Sequence, residues 1–341
     1  MKILVLGSGG WGTAVAVMLS QNGHDVTLWS YLKEEHDALA RDRENRQFLA
    51  GVPFPPQLKL TTEIEKAREA ELVVMATPSF AVANTAKALA AHIAPNTIVV
   101  NLSKGIDRDS GKRLSEVVRE ALHDKHEVVV LSGPSHAEEV GRGVPTTVVA
   151  ASKNKHAAET VQDVFMNDRF RVYITPDVIG VELGAALKNV IALCAGMCDG
   201  MGLGDNTKAA LMTRGLTEMA RLGVALGGRS ETFAGLAGVG DLIVTCTSMH
   251  SRNRRAGILI GKGTSPEQAV REIGAVVEGY YATQTGMALA ERAGIEMPIT
   301  QAAYDVLYHG KSPKDMMRAL MTRGKKSETE EVWMKHIVWE E

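Results

Sequence analysis

Cysteine is scarce in this chain: three residues in 341, Cys194, Cys198 and Cys246, all in apolar surroundings. The first two have helical spacing rather than that of a metal knuckle. The sequence therefore offers neither a disulfide framework nor a thiolate metal site, and a reducing, cytoplasmic compartment is expected, with no metal. Excess charge of either sign is lacking too. Against 38 Lys and Arg stand 40 Asp and Glu, a formal net charge of −2. A phosphate-tracking surface normally shows as a basic excess, so no nucleic acid partner is expected and a local basic cluster must have a local task. No uninterrupted apolar run approaches the ~18 residues of a membrane span. The opening "MKILVLG" is too short for a signal-peptide core, so the mature chain is expected to begin at Met1. A low-complexity linker, a Pro/Ser-rich tether and an internal repeat are also missing.

What is present is the composition of a globular protein, 45% hydrophobic and 23% charged with 33 glycines. At this length two domains of roughly 150 residues each are the natural expectation. Up to about residue 175, short apolar runs alternate with amphipathic stretches: "KILVLG", "DVTLWS", "ELVVMAT", "TIVVNLS", "EVVVLSGP", "TTVVAAS" and "FRVYIT". Continuous runs of this kind signal a parallel sheet covered on both faces, a doubly wound α/β domain. After Pro176 the β-branched runs give way to long Ala/Leu/Gly-rich segments, which read as an all-α domain. The boundary is expected at the start of the helix carrying Lys188, giving domains 1–180 and 181–341. The last seventeen residues, "KKSETEEVWMKHIVWEE", are weakly patterned and are assigned only a docked or frayed tail.

"LGSGGWGTAVA" sets Gly7, Gly9 and Gly12 in GxGxxG spacing after a strand and before a helix. Such glycines let the backbone turn, approach a pyrophosphate and pack helix on strand, so the first domain is expected to be a Rossmann domain holding a dinucleotide. An acidic residue at the end of the second strand would mark NAD. That strand ends instead in Trp29, Ser30, Tyr31 and, after one residue, Lys33. With no carboxylate there to repel a 2′-phosphate, and Ser30 and Lys33 able to bond one, NADP(H) is admitted beside NAD(H). Two further strand ends carry polar groups, Lys104 in "NLSKGI" and Ser132, Gly133 and Ser135 in "LSGPSHAEEV". Ligands of doubly wound sheets bind at such carboxyl ends.

In the second half, Ser251, Arg252, Asn253, Arg254 and Arg255 stand at a helix start. An N-cap serine, unpaired N–H groups and guanidinium forks suit an oxyanion, although a solvated surface run reads the same way. In "VELGAALKNVIALCAG" a cation, Lys188, interrupts an apolar helix. Either it snorkels to solvent, or burial tunes it for proton transfer with a carboxylate such as Asp241 holding the amine.

Taken together, "GSGGWGTA", "SKGI", "SGPSHAEEV", "GVELGAALKNVIAL", "GMCDGMGLGDNTKAALMTRGLTEM", "AGVGDLIVTCTS", "SRNRRAG" and "VVEGYYAT" closely resemble the bacterial NAD(P)-dependent glycerol-3-phosphate dehydrogenases. The resemblance implies interconversion of sn-glycerol 3-phosphate and dihydroxyacetone phosphate, in the direction of phospholipid precursors. It implies Lys188 as general acid/base, with Lys104 touching substrate and cofactor. Gly133, Ser135, Asp241, Ser251, Arg252 and Asn253 fall on substrate-contacting places. Gly10, Trp11, Tyr31, Ala137, Val276 and Glu278 fall on cofactor-contacting ones, and Arg252 serves both. Many relatives carry a serine where this chain has Gly10, and an arginine or histidine near Tyr31. A homodimer is left open. Two other readings compete: a β-hydroxyacid dehydrogenase of the 6-phosphogluconate type, against which "SKG" and the basic cluster favour a small phosphorylated three-carbon substrate, and a non-catalytic dinucleotide sensor, which has no need of Lys188.

Overall fold

The computed structural model describes residues 1–328 and 330–333. The chain divides into two compact units, Met1–Val178 and one from Ile179 onward.

Eight strands build the first unit: β1 (Lys2–Leu6), β2 (Asp25–Trp29), β3 (Lys59–Thr61), β4 (Leu72–Met75), β5 (Ile98–Asn101), β6 (Val128–Ser132), β7 (Thr146–Ala151) and β8 (Phe170–Thr175). They form one sheet in the order β3-β2-β1-β4-β5-β6-β7-β8. The apolar runs are continuous because both faces are covered. Ile3 and Val5 join one core with Val15 and Leu19 of the Gly10–Gln21 helix, while Leu4 and Leu6 join another with Val82 and Leu89 of the Val82–Ala90 helix. Successive side chains of a strand point to opposite faces, so two cores share one strand.

The sheet departs from the all-parallel expectation. From β3 through β6 the neighbours run parallel, but β7 is antiparallel to β6, and β8 follows β7. The cause lies in the connection between β6 and β7, whose only helix, Ala137–Gly141, has five residues. Five residues rise about 7.5 Å, less than half the roughly 17 Å of a five-residue strand. The chain therefore re-enters the sheet from the end at which it left. Strand β3, three residues at the edge beside β2, is too short to have shown as an apolar run.

The second unit is helical, with no strand among the described residues. Its first helix, Val178–Gly200, is long and apolar enough to cross a bilayer, yet 89% of its most apolar window is buried inside the protein. It is a core helix, and the Arg252–Gly261 helix crosses it almost backbone to backbone. A Cβ on Gly196 would stand 2.1 Å from the Arg254 carbonyl, one on Gly257 2.1 Å from that of Leu193, and one on Gly261 2.3 Å from that of Met197. Only glycine allows the approach. Buried Glu218 accepts from the backbone N–H groups of Ile299 and Thr300, closing the start of the Pro298–His309 helix. Part of the terminal segment docks: Glu330 pairs with Arg214 and Arg221, and Trp333 Nε1 donates to Thr217 Oγ1 at 3.3 Å. Thr329 and residues 334–341, the rest of the tail on which a docked or frayed end was expected, lie outside the described residues.

Candidate functional site

The turn after β1 divides its work among three glycines. Gly7 has a φ of 116°, its N–H donates to Trp29 O at 3.1 Å, and a Cβ there would stand 2.8 Å from Ala76 O. A Cβ on Gly12 would stand 2.0 Å from Gly7 O, so the Gly10–Gln21 helix lies directly on the turn. A Cβ on Gly9 would meet nothing within 4 Å. This is the open ground a pyrophosphate needs, beside a helix start that no side chain caps. The residues present fit a dinucleotide.

The carbonyl of Phe48 would meet a Cβ on Gly10 at 2.7 Å, which accounts for the missing side chain at residue 10, and Ala137 lies next to the same point. Trp11 packs half-buried against the adjoining core. Holding this arrangement is Asn45, buried, whose Nδ2 donates to Ser8 O at 2.8 Å and Thr13 Oγ1 at 2.9 Å while Oδ1 accepts from Phe48 N. Nothing in the spacing of the sequence marks Asn45, because it acts 37 residues from Ser8.

At the carboxyl ends of β5 and β6 the expected polar groups meet. Lys104 Nζ and Ser135 Oγ both donate to Gly133 O at 3.0 Å. Gly133, at φ 141°, lies so close to β7 that a Cβ would stand 3.0 Å from Val148 Cα. The end of β2 differs from expectation. Ser30 is 0% exposed and its Oγ has no partner, so its side chain presents nothing to a 2′-phosphate. Its N–H is spent on Thr61 O in the ladder to β3. Tyr31 is 80% exposed, with its ring edge against Trp29. The Lys33 ammonium is 2.6 Å from Asp37 Oδ2, a bond that raises the pKa of the lysine and lowers that of the acid.

In the second unit, Lys188 is 5% exposed and does not snorkel. Its Nζ donates to Asp241 Oδ1 at 2.5 Å and to Thr245 Oγ1 at 2.7 Å, and Thr245 in turn donates to the Asp241 carbonyl at 2.6 Å. The pairing is set one helical turn upstream on both sides. A Cβ on Gly184 would stand 2.7 Å from Ala237 O, so the two backbones touch there and bring residues 188 and 241 together. Asp241 opens the helix Asp241–Thr247 directly after a π-helical turn, Leu236–Gly240, a device frequent at functional sites. Thr245 escapes sequence reasoning because a threonine four residues after an acid is common on any helix.

Asn189 and Asn253 join the remaining groups. Asn253 Nδ2 donates to Asn189 Oδ1 at 2.8 Å, and Asn253 Oδ1 accepts from Gly279 N at 2.8 Å. The Ser251–Asn253 turn is thereby fastened both to the residue after Lys188 and to the start of the Glu278–Ala293 helix, beside Val276. Ser251 caps its own helix, accepting from Arg254 N, and Arg254 pairs with Asp199 at 2.7 Å. Of the basic run, Arg252 and Arg255 are exposed, with Arg252 in the first turn of the helix.

A doubly wound sheet with a pyrophosphate turn, followed by a helical unit with a buried lysine–aspartate pair, defines a nicotinamide-dependent dehydrogenase of the two-domain kind. No group of three or more metal-ligating side chains occurs among the described residues. Residues 2–158 match the family model for the NAD-dependent glycerol-3-phosphate dehydrogenase N-terminus and residues 177–318 that for its C-terminus. The chain belongs to this family. A glycerol-3-phosphate dehydrogenase (NAD(P)+) of Desulfitobacterium hafniense (strain Y51) is 55% identical over 97% of this chain and 94% of its own. The one of Thermoanaerobacter sp. (strain X514) is 55% identical over 96% and 99%. The crystal structure of glycerol-3-phosphate dehydrogenase from Coxiella burnetii matches with a TM-score of 0.91 at 39% identity, covering 94% of this chain and 99% of that one. The chain is an oxidoreductase that interconverts sn-glycerol 3-phosphate and dihydroxyacetone phosphate with NAD(P)(H).

Proposed function

We propose that Lys188 is the proton donor and acceptor of this reaction, and that the enzyme supplies glycerol 3-phosphate for phospholipid synthesis in the cytoplasm. The observation that carries the first part is the buried Lys188–Asp241–Thr245 arrangement. A dihydronicotinamide, when bound, supplies the hydride for C2 of dihydroxyacetone phosphate. Lys188 gives its proton to the carbonyl oxygen as charge develops there, and takes it back when glycerol 3-phosphate is oxidised. Asp241 holds the ammonium form ready and Thr245 fixes its direction, since burial alone would favour the neutral amine.

The substrate phosphate is assigned to Arg252 with the N–H groups of the Ser251–Asn253 turn, where a guanidinium fork meets a helix start. Lys104, oriented by the Gly133 carbonyl, with Ser135 beside it, is assigned to the substrate's polar groups near the cofactor. Asn253 acts mainly by fastening this turn to the Lys188 helix, because its amide is engaged on both sides. The test of the proton role is Lys188→Met, which keeps chain length and deletes the proton. It should lower kcat by about 10²- to 10⁴-fold while dinucleotide binding persists. A folded variant that keeps more than a tenth of the activity overturns the role.

A further inference from the structure

The end of β2 carries no acid, yet a carboxylate stands at the glycine turn. Glu35, in the first turn of the Lys33–Asp42 helix that follows β2, is half-buried, and its Oε2 accepts from Ser8 Oγ at 3.1 Å. Ser8 lies between Gly7 and Gly9 and is itself held by Asn45 and Thr13 through its carbonyl. The Glu35 carboxylate is therefore part of the pyrophosphate turn, on the side facing the end of β2. In doubly wound domains the ribose 2′-hydroxyl of the adenosine half sits there, and an acid about twenty residues beyond the glycines accepts its hydrogen bond. Glu35 stands 23 residues after Gly12.

We propose that Glu35 is the residue that selects between the two nicotinamide cofactors, and that it selects NAD(H). Its carboxylate accepts a bond from a 2′-hydroxyl and repels the dianionic 2′-phosphate of NADP(H). The groups at the end of β2 serve that phosphate poorly. Ser30 is fully buried. Lys33 is bonded to Asp37, and over residues 33–37 three carboxylates stand against one ammonium. This inference rests on the dinucleotide reading of the glycine turn.

The experiment compares kcat/KM for NADH and NADPH in dihydroxyacetone phosphate reduction by the wild type, Glu35→Gln, Glu35→Ser and Glu34→Gln. The wild type should prefer NADH by about tenfold or more. Both Glu35 variants should shrink that preference at least fivefold, with kcat/KM for NADPH rising. Glu34→Gln, which removes an equal charge on the same helical turn, should leave the ratio within twofold and so exclude a general field effect. A wild type that uses both cofactors equally or prefers NADPH overturns the assignment, as does a Glu35→Gln ratio within twofold of wild type. Absence of turnover with either cofactor is a different failure, that of the reaction itself.

Discussion

Replacing Lys188 tests more than proton transfer, because the lysine is half of a buried pair. Lys188 is 5% and Asp241 1% exposed, with 2.5 Å between Nζ and Oδ1. Lys188→Met takes the ammonium away from the buried Asp241 carboxylate and leaves the Thr245 hydroxyl 3.3 Å from the same oxygen. Breaking a buried pair by removing one partner costs about 3–5 kcal/mol. At about 2–4 °C per kcal/mol for domains of this size, the melting temperature should fall by roughly 6–20 °C. Lys188→Met/Asp241→Asn removes both charges, and the neutral amide keeps an acceptor for Thr245, so most of the lost stability should return. Activity should not return with it, because the proton is still missing. The assay is thermal unfolding of wild type and the three variants of the cycle, alongside turnover followed by reduced-cofactor absorbance and dinucleotide titration by fluorescence. A single Lys188→Met that melts within about 1 °C of wild type would refute the energetic argument. A double variant that regains more than a tenth of wild-type kcat would refute the chemical one.

With Arg252 on the substrate phosphate as proposed, Arg252→Ala would remove a charge-assisted contact of roughly 1.5–3 kcal/mol, so KM for dihydroxyacetone phosphate should rise more than tenfold; a change within twofold would return the run to a solvated surface. Burial pushes Glu218 up to about 7 from an ordinary 4.5, with the Ile299 and Thr300 bonds opposing. The fold therefore favours the protonated acid, and its contribution is whole below about pH 4.5 and lost as pH rises through about 7, roughly 3 kcal/mol. Glu218→Gln should flatten that part of the stability–pH curve, and an unchanged slope would place the titration elsewhere. Burial holds all three thiols up, Cys246 at about 12, so the native enzyme should resist alkylation at neutral pH and label only on unfolding. Fast labelling of any of the three would mean that the second unit opens readily.

The long strands and the glycine turn were legible because burial on both faces writes unbroken apolar runs and a close helix–strand approach requires glycine. Strand direction has no such signature. The reversal at β7 depends on how far the intervening segment travels, which periodicity does not encode. The lysine–aspartate pair was legible as a cation without reason on an apolar helix and an acid after a glycine turn. What set them side by side, Gly184 against the Ala237 carbonyl, was not, since a glycine on a helix has many other uses. Ser30 differs from expectation because a polar residue at a strand end reads as reaching toward the ligand, whereas this one is wholly buried with its N–H paired to Thr61 O. Glu35 has no signature at the strand end, because the first turn of the following helix, not the strand, carries it back toward Ser8.

The glycine crossing of the Val178–Gly200 and Arg252–Gly261 helices works as a caliper. One jaw carries Lys188 and the other opens on the Ser251–Asn253 turn, and the hinge between them is carbonyl on bare Cα, with no side chain whose rotamer could loosen the setting. The opening is thus fixed by two main chains, and Asn253 clamps it from the other side through Asn189. A misplacement of about 1 Å can cost about a hundredfold in rate. With Lys188 and Arg252 in the roles proposed for them, the crossing of two main chains sets the span between the proton donor and the phosphate site, and a change at Gly196 or Gly257 would move both.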